Sequence, residues 1–322
     1  MNQSNIIDNL LLFLGISILL AILIKSARTL EKEFEHIALG FKLNPFFLGF
    51  VVLGFVTSLP EISIAIFSSN KDPSLSMSNL IGATVILLTL LIGGGLIKFG
   101  DYEFKRRFSE TDVRAGLLLI SFIIISLLDR RISVFEGVIL IVLYITYVLH
   151  LNHKLNKGRI NLNGLANKGF FRNFFVGLGS ALILVTAAYF IVQGAIALAN
   201  NLGISVSLIG IFVLAFGTNL PEITILLTSK PTLSEKSFAI GNFFGSAVIN
   251  TGIVGMLAIF SGGFEITNFS AFIPGIVILL FTLVLFAYFS WTGKKLSRNE
   301  GYLLIAVYVA LVISEILIQL HP

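Results

Sequence analysis

The chain of 322 residues is 56% hydrophobic and only 12% charged, with a mean hydropathy of +0.96. Soluble domains carry about 25% charge, so lipid rather than water is the solvent for most of this sequence. The absence of cysteine excludes a disulfide framework, a Cys-ligated zinc site and a thiol nucleophile. The net charge of +5 reads as basic loops on one membrane face, not as a surface for nucleic acid.

Ten apolar segments follow one another, at 6–25, 44–68, 74–98, 112–128, 132–151, 173–199, 204–228, 237–262, 267–291 and 301–319. Long apolar runs without period-2 alternation predict membrane-spanning helices, because a helix satisfies its own backbone in hydrocarbon. The fold class expected is therefore an all-α polytopic membrane protein with ten transmembrane helices. The first segment has no preceding basic residue and no following cleavage site, and is expected to be retained as a span. After it, "EKEFEH" at 31–36 reads as a solvated turn or the start of an interfacial helix.

The second segment carries "TSLPEI" at 57–62 and the third "SNLIGATVIL" at 78–87. In the fifth, Glu136 lies near a helix end and reads as a solvated interfacial group. A polar stretch at 153–173 then divides the chain. The expected layout is a five-helix half over 1–152, a cytoplasmic linker over 153–172 and a second five-helix half over 173–322. Gln193 in the sixth segment faces either the bundle interior or a partner helix. The seventh segment carries "TNLPEI" at 218–223 and the eighth "GNFFGSAVIN" at 241–250. Tyr288 and Trp291, closing the ninth, fit an aromatic belt.

With ten spans, 19 of the 22 Lys and Arg residues fall on one face, and only Lys71, Arg130 and Arg131 on the other. The basic face is cytoplasmic, which places both termini outside a cell membrane.

The two Pro-Glu stretches belong to a longer duplication. Leu48–Ser63 aligned on Ile209–Thr224 gives nine identities in 16 positions, including Thr57, Pro60 and Glu61 with Thr218, Pro221 and Glu222. The two blocks that follow share Asn79 with Asn242 and Gly82 with Gly245. The repeats cover about 44–98 and 204–262. Five helices separate them, so they enter the membrane from opposite sides: an inverted-topology repeat, an arrangement that builds transporters with a midplane substrate site.

Proline inside a helix removes a backbone hydrogen bond. It is expected to free carbonyls around Gly54–Val56 and Ala215–Gly217. With the side chains of Thr57, Ser58, Thr218 and Asn219 and the carboxylates Glu61 and Glu222, these make a set of hard oxygen donors suited to Na⁺, Ca²⁺ or Mg²⁺. Ionised carboxylates at bilayer depth cost at least about 2.5 kcal/mol each, and a cation between them removes the penalty. Asn79 and Asn242 are expected to cap or cross-link helices near that site, and Gly82 and Gly245 to permit close helix approach.

"GFVTSLPEISIA" and "AFGTNLPEITIL", with "SNLIGATVIL" and "GNFFGSAVIN", resemble the two α-repeats of the sodium/calcium exchanger (cation/Ca²⁺ antiporter) superfamily. The resemblance implies an antiporter that exchanges Ca²⁺ or a related cation for Na⁺ by alternating access, with no cofactor. It implies Glu61 and Glu222 as central ligands, joined by Thr57, Ser58, Thr218 and the carbonyls of Gly54 and Ala215, with Asn219 at the family's serine position. On the eighth segment it implies Ser246 and Asn250, one turn apart. The matching positions of the third segment are Ala83 and Leu87, which carry no oxygen, and Thr84 is turned about 100° away on the helix. That departure raises proton coupling, or altered or lost ion transport, as alternative readings. The expected partners are membrane lipids and inorganic cations. The oligomeric state is left open, a monomer being allowed.

A channel could share such a site, although trapping by two carboxylates opposes fast conduction. An intramembrane enzyme is excluded by chemistry: "FFGSAV" has no buried base, since His36, His150, His153 and His321 all fall in loops or at segment ends.

Overall fold

The computed structural model describes residues 3–39, 45–103, 109–156, 169–203, 206, 209–266, 268–292 and 295–320. A helix, or a bent pair of helices, occupies each of the ten apolar segments. These are α1 (Gln3–Leu39), the pair α2 (Leu48–Thr57) and α3 (Leu59–Ser68), α4 (Pro73–Phe99), α5 (Glu110–Ile125) and α6 (Val134–Asn156). After them come α7 (Phe170–Leu202), the pair α8 (Ile209–Thr218) and α9 (Leu220–Thr228), α10 (Leu233–Phe260), α11 (Ile273–Thr292) and α12 (Arg298–Leu320). Among the described residues six helices are long and apolar enough to cross a membrane, and eight spans qualify when each bent pair counts as one. The fold is that of an all-α multi-pass membrane protein.

Two boundaries differ from expectation. "EKEFEH" is not a turn, because α1 continues unbroken to Leu39. Glu and Lys are strong helix formers, and no glycine or proline falls between Gly15 and Gly40. At 37 residues the helix is about 55 Å long and outruns the roughly 30 Å hydrocarbon layer. Likewise α6 runs on to Asn156, into the expected linker, of which 157–168 lie outside the described residues.

Helices α4 and α10 form the centre: 83% of the apolar window of each is buried inside the protein, against 22% for α1 and α6. A helix that is apolar all round is a helix enclosed by others. What lets neighbours approach α4 and α10 is the absence of a side chain at several points on each. Gly245 of α10 lies directly against the Phe50 carbonyl of α2, and Gly82 of α4 lies 2.9 Å (measured from its notional Cβ) from the Ile211 carbonyl of α8. Small residues at such crossings permit backbone-to-backbone packing. The long helices α1 and α7 pair with each other around their own apolar cluster, which includes Leu23, Leu30, Ala188 and Val192 and touches Val56, Ile64 and Leu214 of the bent pairs.

Short strands clasp the halves together. β1 (Tyr102–Glu103) pairs antiparallel with β4 (Lys295–Leu296), and β2 (Arg131–Ile132) with β3 (Phe264–Glu265). The clasps reveal that the duplication runs beyond the Pro-Glu blocks. "GDYE" at 100–103 matches "GGFE" at 262–265, and "RRISVFEG" at 130–137 matches "KKLSRNEG" at 294–301. Each strand from one half pairs with the other kind of strand from the other half. Glu136, half-buried at a helix start, also has a capping role: it accepts hydrogen bonds from the backbone N–H and hydroxyl of Ser133, at 2.8 and 2.7 Å, and Glu300 does the same for Ser297. Both are capping boxes that open a helix. Gln193 accepts from the Lys71 ammonium, so it meets the loop between α3 and α4. Trp291 and Tyr288 are exposed at the end of α11.

Candidate cation site

The two Pro-Glu stretches fold alike. In each, a π-helical run (Leu48–Leu53 and Ile209–Leu214) leads into a short α-helical turn that stops at Ser58 or Asn219. These junction residues have nearly the same backbone angles, φ −85° and ψ 4° for Ser58, φ −84° and ψ 4° for Asn219. There the chain bends by 42° in the first half and 46° in the second. Pro60 and Pro221 therefore sit in the first turn of a new helix, where a missing N–H does no harm. The next residue is the glutamate, so Glu61 and Glu222 both lie in a first turn, where the positive end of the helix dipole favours a carboxylate.

Proline does not free the carbonyls of Gly54 and Ala215. They accept the backbone N–H groups of Ser58 and Asn219 at 3.1 and 3.4 Å, and the Asn219 amide also donates to Ala215 at 2.6 Å. The bond that proline removes is the one to the carbonyl four residues earlier, that of Val56 or Gly217. Gly54 and Ala215 retain a second lone pair each.

All the polar positions of the two stretches are buried: Thr57, Ser58, Glu61, Thr218, Asn219 and Glu222, with Asn79, Thr84, Asn242, Ser246 and Asn250 from α4 and α10. Among the described residues the only other buried acid is Asp112. The structure brings several of them together across the halves. The Thr57 hydroxyl lies 3.1 Å from that of Ser246, 3.3 Å from the Asn242 side-chain oxygen, and donates to the Leu53 carbonyl at 3.0 Å. Its single proton serves either Leu53 or Asn242, so Asn242 lies at the crossing of α10 and α2 as an alternative acceptor. In the other direction the Thr218 side chain comes within interaction range of the Glu61 carboxyl. The contact is looser than a well-formed hydrogen bond, and by strict geometry Thr218 Oγ1 and Glu61 Oε2 lack a partner among the described residues, as do Asn219 Oδ1, Asn242 Nδ2 and both amide atoms of Asn79. Buried polar atoms are paired in all but a few per cent of cases, and here the unpartnered ones are concentrated around the two junctions.

One contributor escaped the sequence reading. Thr84 lies off the face of Ala83, as expected, but it is not idle: its hydroxyl accepts from the Asn250 amide at 2.9 Å and donates to the Leu80 carbonyl at 2.7 Å. The 100° rotation that removes it from the face of Ala83 aims it at α10. Ala83 and Leu87 are buried and offer no side-chain oxygen.

Comparison with known proteins shows the family of the chain. The model of the sodium/calcium exchanger protein family matches residues 10–151 and again 173–317. The chain belongs to the sodium/calcium exchanger family. This is a family of membrane antiporters, not of enzymes. The chain is 31% identical to an uncharacterized membrane protein of Methanocaldococcus jannaschii, over 87% of this chain and 90% of that one. It is 24% identical to the sodium/calcium exchanger MaX1 of Methanosarcina acetivorans, over 95% and 98%. Among solved structures, the sodium-calcium exchanger NCX_Mj soaked with Na⁺ and Sr²⁺ superposes with a TM-score of 0.67 at 25% identity, covering 96% of this chain and 99% of that one.

Proposed function

We propose that the protein exchanges Ca²⁺, or a related cation, for Na⁺ by alternating access around a midplane site held by Glu61 and Glu222. The observation that carries this reading is the pair of matched helix junctions. Each sets a buried glutamate in the first turn of a helix, and among the described residues Thr218 Oγ1, Asn219 Oδ1 and Glu61 Oε2 lack protein partners. Thr57, Ser58, Thr218, Asn219, Ser246, Asn250 and the carbonyls of Gly54 and Ala215 complete the donor set. Among family relatives, NCX_Mj was soaked with Na⁺, Sr²⁺ and Ca²⁺.

In this reading ten helices span a cell membrane with both termini outside. The halves 1–152 and 173–322 run in opposite directions around a cytoplasmic linker at 153–172. Two carboxylates balance one divalent cation or two monovalent ones. Left empty they repel each other in a low-dielectric core, so the carrier crosses loaded, and that obligation is what makes it an exchanger. Helices α1 and α7, packed around their own cluster, slide past the central helices to expose the site alternately to either side. The oxygen-free face at Ala83 and Leu87 favours a second reading, in which protons on the glutamates replace some or all of the Na⁺.

Proteoliposomes loaded with Na⁺ at uniform pH, and separately with an outward H⁺ gradient and no Na⁺, separate the two. Ca²⁺ uptake driven by Na⁺ and lost in Glu61→Gln and Glu222→Gln is the expected result. Uptake driven only by H⁺ selects the second reading. Folded protein that moves Ca²⁺ under neither gradient refutes both.

A further inference from the structure

Thr84 occupies a position at which the recognised pattern asks for nothing, yet it makes the one side-chain bond between α4 and Asn250. Its geometry restricts what Asn250 can offer. A threonine hydroxyl has one proton. Here that proton points at the Leu80 carbonyl, 2.7 Å away, which leaves Oγ1 as an acceptor toward Asn250. The group it accepts from is Nδ2, at 2.9 Å. Turning the amide over would require the hydroxyl to abandon Leu80 and donate to Oδ1 instead, so that Thr84 made one bond in place of two. The arrangement with two bonds holds the amide nitrogen against α4 and leaves Oδ1 on the opposite side. A neutral amide can ligate a cation only through Oδ1, since the NH₂ group presents positive hydrogens. Ser246, one turn earlier on the same face of α10, lies 3.1 Å from Thr57, so this face is the one directed at the Pro-Glu junctions.

We propose that Thr84 is a positioning residue for cation binding: by accepting from Asn250 Nδ2 it holds Asn250 Oδ1 as the ligand, and so stands in for the oxygens that Ala83 and Leu87 do not supply. The inference rests on the cation site proposed above. It gives α4 an indirect role in selectivity through an atom that never touches the ion. Removing Thr84 frees the amide to rotate and lets its NH₂ group compete for the same place.

The test uses the full-length protein in detergent and in proteoliposomes. Thermal stabilisation by Na⁺, Ca²⁺ and Sr²⁺ first identifies an ion whose binding is lost in Glu61→Gln. Apparent Kd for that ion, and KM and kcat for its uptake, are then measured in Thr84→Val, Thr84→Ser, Asn250→Ala and Thr84→Val combined with Asn250→Ala. The expected result is a Kd and KM raised about five- to tenfold in Thr84→Val, the worth of one hydrogen bond, with kcat little changed. Thr84→Ser, which keeps the hydroxyl, restores the affinity. In the Asn250→Ala background Thr84→Val has no further effect. A Thr84→Val protein that binds the ion as tightly as the parent overturns the inference, whatever its melting temperature. So does an equal loss in the Asn250→Ala background, which marks a packing role. If none of the ions stabilises the parent protein, the cation site itself falls and takes the role of Thr84 with it.

Discussion

Thr57 and Ser246, 189 residues apart in the chain, hold their hydroxyls 3.1 Å from each other. The matching pair in the other half is Thr218 and Ala83, and an alanine cannot answer a hydroxyl. The site is therefore asymmetric. On its Thr57 side the hydroxyl is tied into protein hydrogen bonds and one atom, Asn242 Nδ2, lacks a partner among the described residues, whereas Thr218 Oγ1, Glu61 Oε2, Asn219 Oδ1 and both amide atoms of Asn79 lack one on the other.

From that asymmetry, Thr57→Val is expected to lower stability without ion by about 1–3 kcal/mol, because it strips partners from buried Asn242 and Ser246. Thr218→Val removes an unpaired buried hydroxyl and is expected to leave the ion-free protein equally stable or more so, while weakening stabilisation by the ion. Melting curves of both variants with and without Ca²⁺ or Na⁺ check this. Equal losses of ion-free stability would refute the asymmetry.

Close packing at α10 makes a second prediction. A methyl group on Gly245 collides with the Phe50 carbonyl, which belongs to backbone and cannot swing away. Gly245→Ala is expected to destabilise by about 3 kcal/mol or more. Gly15→Ala on α1, where nothing lies within 4 Å, is expected to gain up to about 1 kcal/mol from helix propensity alone. Detergent-solubilised yield and melting temperature of the two variants supply the comparison.

The capping boxes make a third. Ser133→Ala and Ser297→Ala each remove a cap whose glutamate partner is in place, at an expected cost of about 1 kcal/mol apiece. The sites lie at equivalent positions in the two halves and share no partners, so the losses are expected to add in the double variant. A double variant no worse than either single one counts against this.

Hydropathy and the repeated Pro-Glu block suffice to reach the all-α membrane class of fold, the helical nature of the apolar segments among the described residues and the burial of Glu61 and Glu222. Each of those follows from short-range pattern: apolar length, a helix-interrupting proline, an acid where lipid forbids one. What escaped depended on partners far along the chain. Thr84 looked misdirected because its helix was considered alone, and only the position of α10 shows what it faces. The second half of the duplication was hidden because "GDYE" and "GGFE" are too short to stand out until β1 and β3 are seen in matching clasps. The expected range of freed carbonyls was too wide: Gly54 and Ala215 are bonded to Ser58 and Asn219, and only Val56 and Gly217, four residues before each proline, lose that partner. Helix α1 was cut short because charged residues ended its hydropathy without ending its helicity.

The last prediction concerns the clasp between β1 and β4 and its dependence on pH. The Lys295 ammonium lies 2.7 Å from Asp101, and the backbone N–H of Arg298 donates to the same carboxylate at 3.0 Å. Lys295, then Arg298, hold the Asp101 pKa below the ordinary carboxylate value, and Asp101 raises that of Lys295. An acid with a lowered folded-state pKa contributes stability that is fully present above its unfolded value and is lost as pH falls through the folded one. The lysine's contribution is present below its unfolded value and is lost only as pH rises through its raised folded one. The clasp is thus intact across the neutral range and opens first on the acid side. Both groups lie in water, so the effect on overall stability is small. Lys295→Met is expected to melt slightly below the parent at pH 7, with the gap closing as pH falls through the folded-state pKa of Asp101. Hydrogen exchange of the β1 and β4 amides, followed from pH 7 downward with the intrinsic rate removed, gives the more direct reading. Protection in the parent should fall to the Lys295→Met level as Asp101 protonates. A gap that persists unchanged in strong acid would mean that Lys295 protects the strands by some route other than the Asp101 charge, and no gap at any pH would mean that they hold by backbone pairing alone.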